Sequence, residues 1–400
     1  MRNEPASSVT DHTNISRRGF LKGTLAGALS VGSYDVLAQI VGGSSVRGWG
    51  VPSGLVRLDS NENALGPSPR ALEAVAGQIY SINRYGRNPD LLGKIARRHG
   101  VPVVEWTDSP FEPASNAWIA VGAGSSELLF AIGHSFLREG QEIVESLPGF
   151  GFMTNLAALQ NAKSVRIPLD GNMRPDLVRI SEAVNERTSL VVITSPGNPT
   201  GQLTPIPKLK SFVESIPRQV LILVDEAYIE FAGRAEDRIG AATLTEHYPN
   251  VIVTRTFSKI YGLAGLRVGY AVARPEIIEA VNKHRGNTLT GLSTHAASAA
   301  LDDETHLRRS REMVIKGKQY LYEQLDSIGI DYLPSESSFM MINVKTDVDQ
   351  LVLRLKEEHN VLVGNAKLRW GIEGWIRVTA GSPEENEAFI TALKMVLVKS

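Results

Sequence analysis

The chain has 400 residues, of which 42% are apolar and 21% charged, and its formal net charge is −1. This composition is that of ordinary globular proteins, and it gives no reason to expect a nucleic acid or an anionic membrane as a partner. The chain contains no cysteine, which excludes disulfides, thiolate nucleophiles and cysteine-ligated metals. The composition therefore favours a small molecule as the ligand.

The N-terminus carries a segment that is typical of an export signal. The run Ser16-Arg17-Arg18-Gly19-Phe20-Leu21-Lys22 precedes a weakly apolar stretch, residues 23–34, that is too short to span a bilayer. A disordered basic tail, or an amphipathic helix packed on the body, is the alternative. We interpret residues 1–38 as a twin-arginine signal peptide, with the mature chain starting near Gln39. This predicts a protein exported in folded form, periplasmic or extracytoplasmic, without a stable membrane anchor.

After the signal, short β-rich runs alternate with amphipathic helical segments. This alternation predicts an α/β fold with a mostly parallel sheet and helices on both faces. The predicted strands span residues 118–121, 142–145, 164–167, 190–194, 220–224, 251–254 and 268–272. The run Val-Leu-Ile-Leu-Val at 220–224 has no polar face, so we expect it to be buried on both sides.

From about residue 285 the pattern changes, which indicates a smaller α+β unit. A charged helical region at 306–325 is followed by short strands at 339–344, 361–363 and 375–378 and by a final helix. The segment 55–85 is too short to be a domain. We predict an N-terminal arm at 39–85 that joins the small domain, a large domain at 86–284 and a small C-terminal domain at 285–400.

Polar clusters follow five of the predicted strands. In mostly parallel sheets, ligands bind beyond the carboxyl ends of the strands. The clusters span residues 122–127, 148–150, 195–201, 225–228 and 255–259. We expect them to converge on one edge of the sheet and to form the ligand site there.

Lys259 is the most specific signal in these clusters. It lies in Thr256-Phe257-Ser258-Lys259-Ile260-Tyr261-Gly262, directly after a predicted buried strand. Apolar neighbours of this kind favour a lysine amine that is nucleophilic toward a carbonyl. Ser258 and Thr256 offer hydroxyl donors, and the guanidinium of Arg267 suits a phosphate. The combination predicts a site for a phosphorylated aldehyde.

This block resembles the lysine motif of class I/II aminotransferases of pyridoxal-phosphate fold type I, and most closely that of the histidinol-phosphate aminotransferase branch. The resemblance runs from about Leu58 to the C-terminus. It implies that pyridoxal 5′-phosphate (PLP) is the cofactor and that Lys259 is the catalytic, Schiff-base residue. It also implies that Thr256, Ser258 and Arg267 bind the cofactor phosphate.

Two more clusters match motifs of the same family. Asp225 emerges from an apolar strand in Val224-Asp225-Glu226-Ala227-Tyr228, where a helix N-cap is the alternative role. PLP enzymes need an acid beside the pyridine nitrogen, and the resemblance implies that Asp225 is this acid and that Tyr228 binds the ring's phenolic oxygen. Asn198 lies in Ser195-Pro196-Gly197-Asn198-Pro199-Thr200-Gly201, which a plain turn also explains. The resemblance implies that Asn198 contacts both cofactor and substrate.

A glycine turn and an aromatic residue extend the match. The turn Gly122-Ala123-Gly124-Ser125-Ser126-Glu127 precedes a helix, and the amides of a helix N-terminus bind phosphate. This signal is weak by itself, but the resemblance implies that Ser125 and Ser126 contact the cofactor phosphate through the backbone. Phe150 has core packing as its alternative role, whereas the resemblance implies that it stacks on the pyridine ring.

Two N-terminal segments also resemble the family. Asp59-Ser60-Asn61-Glu62-Asn63-Ala64-Leu65-Gly66-Pro67 is similar to the arm that lines the substrate site, although Ala64 stands where the pattern usually has proline. Asn83-Arg84-Tyr85 is similar to the segment whose tyrosine reaches the cofactor phosphate of the neighbouring subunit. This implies that Tyr85 binds the cofactor and that the protein is a homodimer with shared active sites.

Arg377 is the substrate-binding candidate near the C-terminus. It lies in the β run Trp375-Ile376-Arg377-Val378-Thr379, where a surface charge is the alternative. The resemblance implies that it pairs with the substrate α-carboxylate, a geometry that suits a guanidinium. Histidinol-phosphate aminotransferases carry an arginine for the substrate phosphate where this chain has Gly364. The departure argues against histidinol phosphate, unless Lys367 or Arg369 supplies the charge.

The sequence therefore predicts a PLP-dependent aminotransferase that moves an amino group from an α-amino acid to a 2-oxo acid. Lys259 would exchange its bond to the cofactor for the substrate amine and then move the substrate proton. Another PLP reaction, such as decarboxylation, racemisation or lyase chemistry, is the alternative enzyme. A cofactor-binding sensor is the alternative outside enzymes, and the complete set of Lys259, Asp225, Asn198 and Arg377 argues against it.

Overall fold

The computed structural model describes residues 46, 48–85, 89–103, 115–286 and 289–398. The predicted signal peptide, residues 1–38, lies outside the described residues, so export stays a prediction. Within the described part of the chain, no helix has both the length and the apolar character that crossing a membrane requires.

The described residues form strands and helices in alternation. The strands are β1 (Val56–Arg57), β2 (Ser115–Asn116), β3 (Ile119–Gly122), β4 (Glu142–Leu147), β5 (Lys163–Pro168), β6 (Thr188–Thr194), β7 (Leu221–Asp225), β8 (Val251–Thr256), β9 (Gly269–Ala273), β10 (Asp331–Leu333), β11 (Phe339–Asn343), β12 (Val361–Leu362), β13 (Gly364–Asn365) and β14 (Trp375–Thr379). The α-helices are α1 (Pro69–Gln78), α2 (Pro89–His99), α3 (Ser125–Phe136), α4 (Phe152–Leu159), α5 (Leu177–Ala183), α6 (Ile206–Ser215), α7 (Pro275–Asn282), α8 (Gly291–Leu301), α9 (Glu304–Ser327), α10 (Val348–His359), α11 (Ala366–Trp370) and α12 (Pro383–Val398).

Several helix ends follow from local sequence chemistry. Helix α1 begins at Pro69, whose missing N–H costs nothing at a first helical position, and the Ser68 hydroxyl accepts a hydrogen bond from the Ala71 amide. The Asp347 carboxylate caps α10 in the same way. Helix α10 ends at Asn360, which adopts the left-handed conformation that terminates helices.

An eight-stranded sheet carries most of the predicted site. Its order is β2-β3-β9-β8-β7-β6-β4-β5, and the neighbours from β8 to β5 pair in parallel. Strand β9 lies antiparallel between β3 and β8, so β3 points the same way as the parallel strands. The predicted mostly parallel sheet is confirmed, and the predicted strand at 268–272 is the one that reverses direction.

The centre of this sheet is covered by helices on both faces. Leu221 and Leu223 of β7 pack with apolar residues of α3, α4 and α7, whereas Ile222 and Val224 pack with those of α5 and α6. Every residue of β7 is buried, as expected from its continuous apolar run. Because both faces are covered, a ligand can reach the central strands only at their ends, where the polar residues lie.

A smaller antiparallel sheet lies in the C-terminal part, in the order β10-β11-β14-β13. Its core includes Leu321 and Leu325 of α9, Leu355 of α10 and Phe389 of α12. Strand β1 of the arm pairs in parallel with β12, so the arm contacts the C-terminal part of the chain. The exact domain limits predicted from the sequence stay predictions.

Candidate active site

A cavity of about 190 Å³ lies where β3, β4, β6, β7 and β8 end. It is lined by Ser60, Glu62, Ser125, Ser126, Phe150, Thr194, Asn198, Asp225, Ala227, Tyr228, Thr256, Ser258, Lys259, Ala264 and Arg267. All five polar clusters expected to meet at one sheet edge contribute to this wall. Arg377 is linked to the cavity through Asn198, and Tyr85 is not part of it.

Lys259 follows β8 on a short turn that buried aromatic neighbours hold in place. Phe257 and Tyr261 are almost completely buried, and the Gly262 amide donates to the Lys259 carbonyl over 3.0 Å. The Lys259 amine donates to the Ser60 carbonyl of the arm over 3.2 Å and lies 5.7 Å from the centre of the Tyr228 ring. A primary amine is therefore presented to the cavity from a rigid support.

Asp225 ends the buried strand β7, and its carboxylate is 5% exposed. The Thr254 hydroxyl donates to its Oδ1 over 3.0 Å. Burial raises the pKa of Asp225 to about 6, Glu226 adds to the rise, and Thr254 and Lys259 oppose it. Because the buried charge is costly, this carboxylate is suited to hold a cationic N–H such as that of a protonated pyridine ring.

The opposite end of the cavity concentrates hydrogen-bond donors. Arg267 Nη1 donates to the Ser258 hydroxyl over 3.2 Å, and the Thr256 hydroxyl donates to the same oxygen over 3.0 Å. Ser125 begins α3, and the free amides at a helix N-terminus can bind an anion. A Cβ at Gly124 would collide with the Arg267 guanidinium. This compact set of donors and positive charge fits a phosphate group.

Tyr228 and Asn198 connect the cavity to the arm and to the smaller sheet. Asn61 Nδ2 donates to the Tyr228 hydroxyl over 2.9 Å. Asn198 is buried, and its Oδ1 accepts a hydrogen bond from Arg377 Nη1 over 2.8 Å. This bond fixes the amide so that its N–H₂ group is turned away from Arg377. A plain turn would not explain such a contact between the two sheets.

Phe150 lies on the cavity wall and is 47% exposed, so it is not a core residue. Its ring is nearly parallel to that of Phe152, with 6.1 Å between the ring centres. A half-exposed aromatic face at the cavity is available for stacking on a planar ligand. The stacking role itself stays a prediction.

Arg377 is a buried cation, with 4% of its surface exposed, and not a surface charge. Its Nη2 donates to the Asp59 carbonyl over 2.7 Å, and its guanidinium lies about 5 Å from the Phe339 and Trp370 rings. Burial lowers the pKa of Arg377 to about 10, which leaves it charged at neutral pH. Its Nε has no hydrogen-bond partner among the described residues.

Tyr85 does not reach the cavity of its own chain. It is 92% exposed and lies in a separate surface hollow, together with residues 81–84 and 289–292. The predicted contact with a neighbouring subunit's cofactor is compatible with this exposure. That contact stays a prediction.

Several cavity contacts were not individually predicted from the sequence. The Ser60 carbonyl holds Lys259, Asn61 binds Tyr228, and Thr254 binds Asp225. The arm was expected to line the site, but its sequence does not tell which atom meets which partner. Thr254 had a usable signal, because it lies two residues before Thr256 and therefore on the same face of β8.

Residues 53–393 match the family model for aminotransferase class I and II. The chain belongs to this family. It is 37% identical over 347 residues to histidinol-phosphate aminotransferase 2 of Carboxydothermus hydrogenoformans, covering 85% of this chain and 91% of that protein. It is 36% identical to histidinol-phosphate aminotransferase 1 of Nitrosococcus oceani over 354 residues, covering 88% of this chain and 91% of that protein.

Solved structures agree with this membership. The histidinol-phosphate aminotransferase of Sinorhizobium meliloti, in complex with pyridoxal-5′-phosphate, matches with a TM-score of 0.75 and 29% identity, over 86% of this aminotransferase and 91% of that chain. The fold is PLP fold type I, and the protein is a PLP-dependent aminotransferase. The residues present fit this cofactor at both ends of the cavity, since the buried Asp225 carboxylate could face a ring N–H and the Arg267 group could face a phosphate.

Proposed function

We propose that this aminotransferase moves the amino group of an α-amino acid to a 2-oxo acid and that Arg377 binds the α-carboxylate of both. The observation that carries the proposal is the Arg377 guanidinium, a buried cation with a free Nε beside the cofactor cavity. A buried guanidinium that forms no close ion pair among the described residues and keeps an unpaired N–H favours an anionic ligand. A carboxylate common to donor and acceptor meets this need in both half-reactions.

The remaining residues take complementary roles in the proposal. PLP, when bound, supplies an aldehyde for the amino group and a ring that accepts electrons. Lys259 would hold the cofactor and move the substrate proton with its amine, while Asp225 would keep the proton on the ring nitrogen. Arg267, Ser258, Thr256 and the α3 amides of Ser125 and Ser126 fix the phosphate. Asn198 and Tyr228 would bind the phenolic oxygen, and Phe150 would cover the ring.

Gly364 supports an unphosphorylated donor. It lies opposite Arg377 in the β13–β14 pair. A Cβ at this position would lie 3.1 Å from the Arg377 carbonyl oxygen and 3.4 Å from its Cβ, so β13 brings bare backbone against Arg377 and no second cation. The Lys367 amine forms an ion pair with Asp349 over 3.1 Å, so its charge is already balanced and is not directed at a substrate phosphate.

Histidinol phosphate is the second candidate donor, and one contact favours it. Arg369 Nη1 donates over 3.3 Å to the Asp59 carbonyl, the same oxygen that accepts from Arg377. Two guanidinium groups therefore share one acceptor, and Arg369 is in a position to assist with a phosphate. The names of the relatives also favour this candidate.

The test compares kcat/KM for histidinol phosphate with that for a panel of free α-amino acids, using one 2-oxo acid acceptor. We expect free amino acids to be preferred by tenfold or more, because a charged contact is worth about 1.5–3 kcal/mol. Arg369→Gln should leave their turnover nearly unchanged. A tenfold preference for histidinol phosphate that is lost in Arg369→Gln establishes the second candidate instead.

We also propose that the enzyme is an exported homodimer. Ile79, Tyr80, Ile82 and Tyr85 are between 48% and 92% exposed, and such a run of apolar side chains favours burial against another protein surface. A second copy is the partner that the Tyr85 motif implies. Export rests on the twin-arginine segment alone.

A further inference from the structure

A second pair of side chains joins the ends of β7 and β8 on the face opposite the cavity. Asp225 and Thr254 are partners in the register of these strands. The next residues along the chain are Glu226, directly after β7, and Arg255 of β8. Successive side chains of an extended chain point to opposite faces. Arg255 Nε donates to Glu226 Oε2 over 2.9 Å, and Arg255 Nη2 lies 2.8 Å from the same oxygen. One side-chain contact therefore joins the two strand ends on each face: Thr254 with Asp225 on the cavity side, and Arg255 with Glu226 on the other.

This ion pair is enclosed. Glu226 is 1% exposed and Arg255 is 2% exposed. The other Glu226 oxygen accepts the Ala241 amide, and Arg255 Nη2 also donates to the Ile239 carbonyl over 2.8 Å. A Cβ at Gly240, whose φ is +74°, would collide with both side chains. These hydrogen bonds offset part of the cost of burying the two groups in a low-dielectric interior.

We propose that Glu226 and Arg255 are positioning residues for the aminotransferase reaction. The pair sets the spacing between the strand ends that carry Asp225 and Lys259, and Arg255 neutralises the negative charge next to Asp225. A buried ion pair contributes little net stability compared with apolar residues of the same volume. Its location directly behind the acid of the site points to a role in the reaction.

The sign of the electrostatic effect follows from the neighbouring groups. Burial raises the pKa of Asp225, and Glu226 raises it further. Burial also raises the pKa of Glu226, while Arg255 and the Ala241 amide oppose that rise. Removal of the Glu226 charge should therefore lower the pKa of Asp225.

Other charged and titratable groups surround both side chains. Lys259 acts on Asp225 from the turn after β8. The groups that act on Arg255 are Glu226, Glu230 and Tyr270, with Glu230 Oε1 at 3.6 Å from Nη1. None of these is altered by replacement of Glu226 with glutamine, so the variant isolates one charge.

The test measures the dissociation constant of PLP from the full-length apoenzyme between pH 5 and 8. Wild-type affinity should fall as the pH decreases through the range in which Asp225 becomes protonated. Glu226→Gln should shift this midpoint to lower pH by roughly one unit, the size of a nearby charge at moderate dielectric. The phosphate of PLP titrates in the same range, so the difference between variants is the measure.

Arg255→Lys separates geometry from charge. It keeps the positive charge but loses the two-pronged contact, so the midpoint should stay and kcat should fall by about tenfold or more with PLP affinity at pH 8 retained. Glu142→Gln is the matched control, because Glu142 is equally buried and pairs with Arg187 over 2.9 Å at the far end of β4. It should lower stability and leave both the midpoint and kcat unchanged.

An unchanged midpoint in folded Glu226→Gln overturns the electrostatic role, and an unchanged kcat in Arg255→Lys overturns the spacing role. If Glu226→Gln fails to fold, the double variant Glu226→Gln/Arg255→Met replaces it, since removal of both partners avoids a lone buried charge. Because this variant removes two opposite charges, its midpoint is not diagnostic, and a wild-type kcat in the folded double variant then overturns the proposal.

Discussion

Asp225 is an ionisable side chain enclosed at the end of a buried strand, so its charge costs the apoenzyme free energy. Its pKa in the fold is about 6, above the ordinary 3.8. The folded state therefore binds more protons than the unfolded state between these pH values, and stability declines as the pH rises through this range. The full cost, about 3 kcal/mol, is present above pH 6.

Asp225→Asn should consequently stabilise the apoenzyme while impairing the reaction. At pH 8 we expect its free energy of unfolding to exceed that of the wild type by about 1–3 kcal/mol, with a much smaller difference at pH 4. Turnover should fall severely, because asparagine cannot hold the pyridine proton. Urea unfolding at the two pH values and steady-state kinetics check this. A variant that is less stable at pH 8, or one with wild-type turnover, contradicts the assignment.

Lys259→Ala should abolish turnover and leave the fold intact. The amine is the only part of the residue that the proposed chemistry uses, and its hydrogen bond goes to a backbone carbonyl of the arm. Borohydride treatment of the holoenzyme should link PLP to the wild-type chain and not to the variant. Lys283→Ala, which removes an exposed lysine paired with Glu279, is the control and should behave as the wild type. If borohydride still links PLP to the Lys259→Ala chain, Lys259 is not the residue that holds the cofactor.

At the scale of elements, the contact between β13 and β14 makes a sharp prediction. Gly364→Ala would place a Cβ 3.1 Å from the Arg377 carbonyl, so the strands must separate by a few tenths of an ångström. We expect KM for the amino acid donor to rise by roughly three- to tenfold, about 1 kcal/mol, with a smaller change in kcat. Gly171→Ala, where a Cβ meets no atom within 4 Å, is the control. An unchanged KM means that Arg377 does not bind the donor.

The long strands could be predicted from the sequence because their residues alone require burial. The run at 220–224 has no polar face, and β7 is found there, shifted by one residue. Strands β1 and β13 have two residues each, and their existence depends on partners that are distant in the chain. The direction of β9 was equally hidden, since Gly-Tyr-Ala-Val-Ala is apolar whichever way the strand runs.

In the candidate site too, some features could be predicted from the sequence and others could not. Asp225, Asn198 and Lys259 follow strands, and their meeting at one edge follows from the parallel arrangement of those strands. The bond between Arg377 and Asn198 joins two sheets, and no local pattern encodes the packing of one sheet against another. The pairing of Glu226 with Arg255 was hidden for a related reason, because it depends on the register of β7 and β8.

At the scale of the whole molecule, the proposed homodimer with shared active sites predicts complementation between inactive variants. Neither Lys259→Ala nor Tyr85→Ala should be active in isolation. In a heterodimer of the two, one site contains both Lys259 and the other subunit's Tyr85, so dissociating and mixing the variants should restore part of the activity. Size-exclusion chromatography of the mixture verifies the dimers. Mixed dimers without activity contradict a shared site.

The proposed export by the twin-arginine route predicts a strict dependence on the arginine pair. A folded reporter fused after Ala38 should leave the cytoplasm when Arg17 and Arg18 are present and should be retained when both are replaced by lysine. Cell fractionation measures the distribution. If the doubly substituted fusion is exported, or the fusion with both arginines is retained, the signal-peptide interpretation is wrong. Residues 1–38 are then better interpreted as a basic tail or a packed helix.

The position of β9 has a consequence for the order in which the molecule forms. Gly269 pairs with Gly122 across the sheet, and a Cβ on Gly269 would collide with the Ser125 amide. The turn at residues 122–125, to which we assign the cofactor phosphate, thus takes its shape against a strand that is synthesised much later. Pairing between distant segments is slow in folding. Uptake of PLP by a refolding chain should therefore lag behind helix formation, and its rate reports the closure of the sheet around β9.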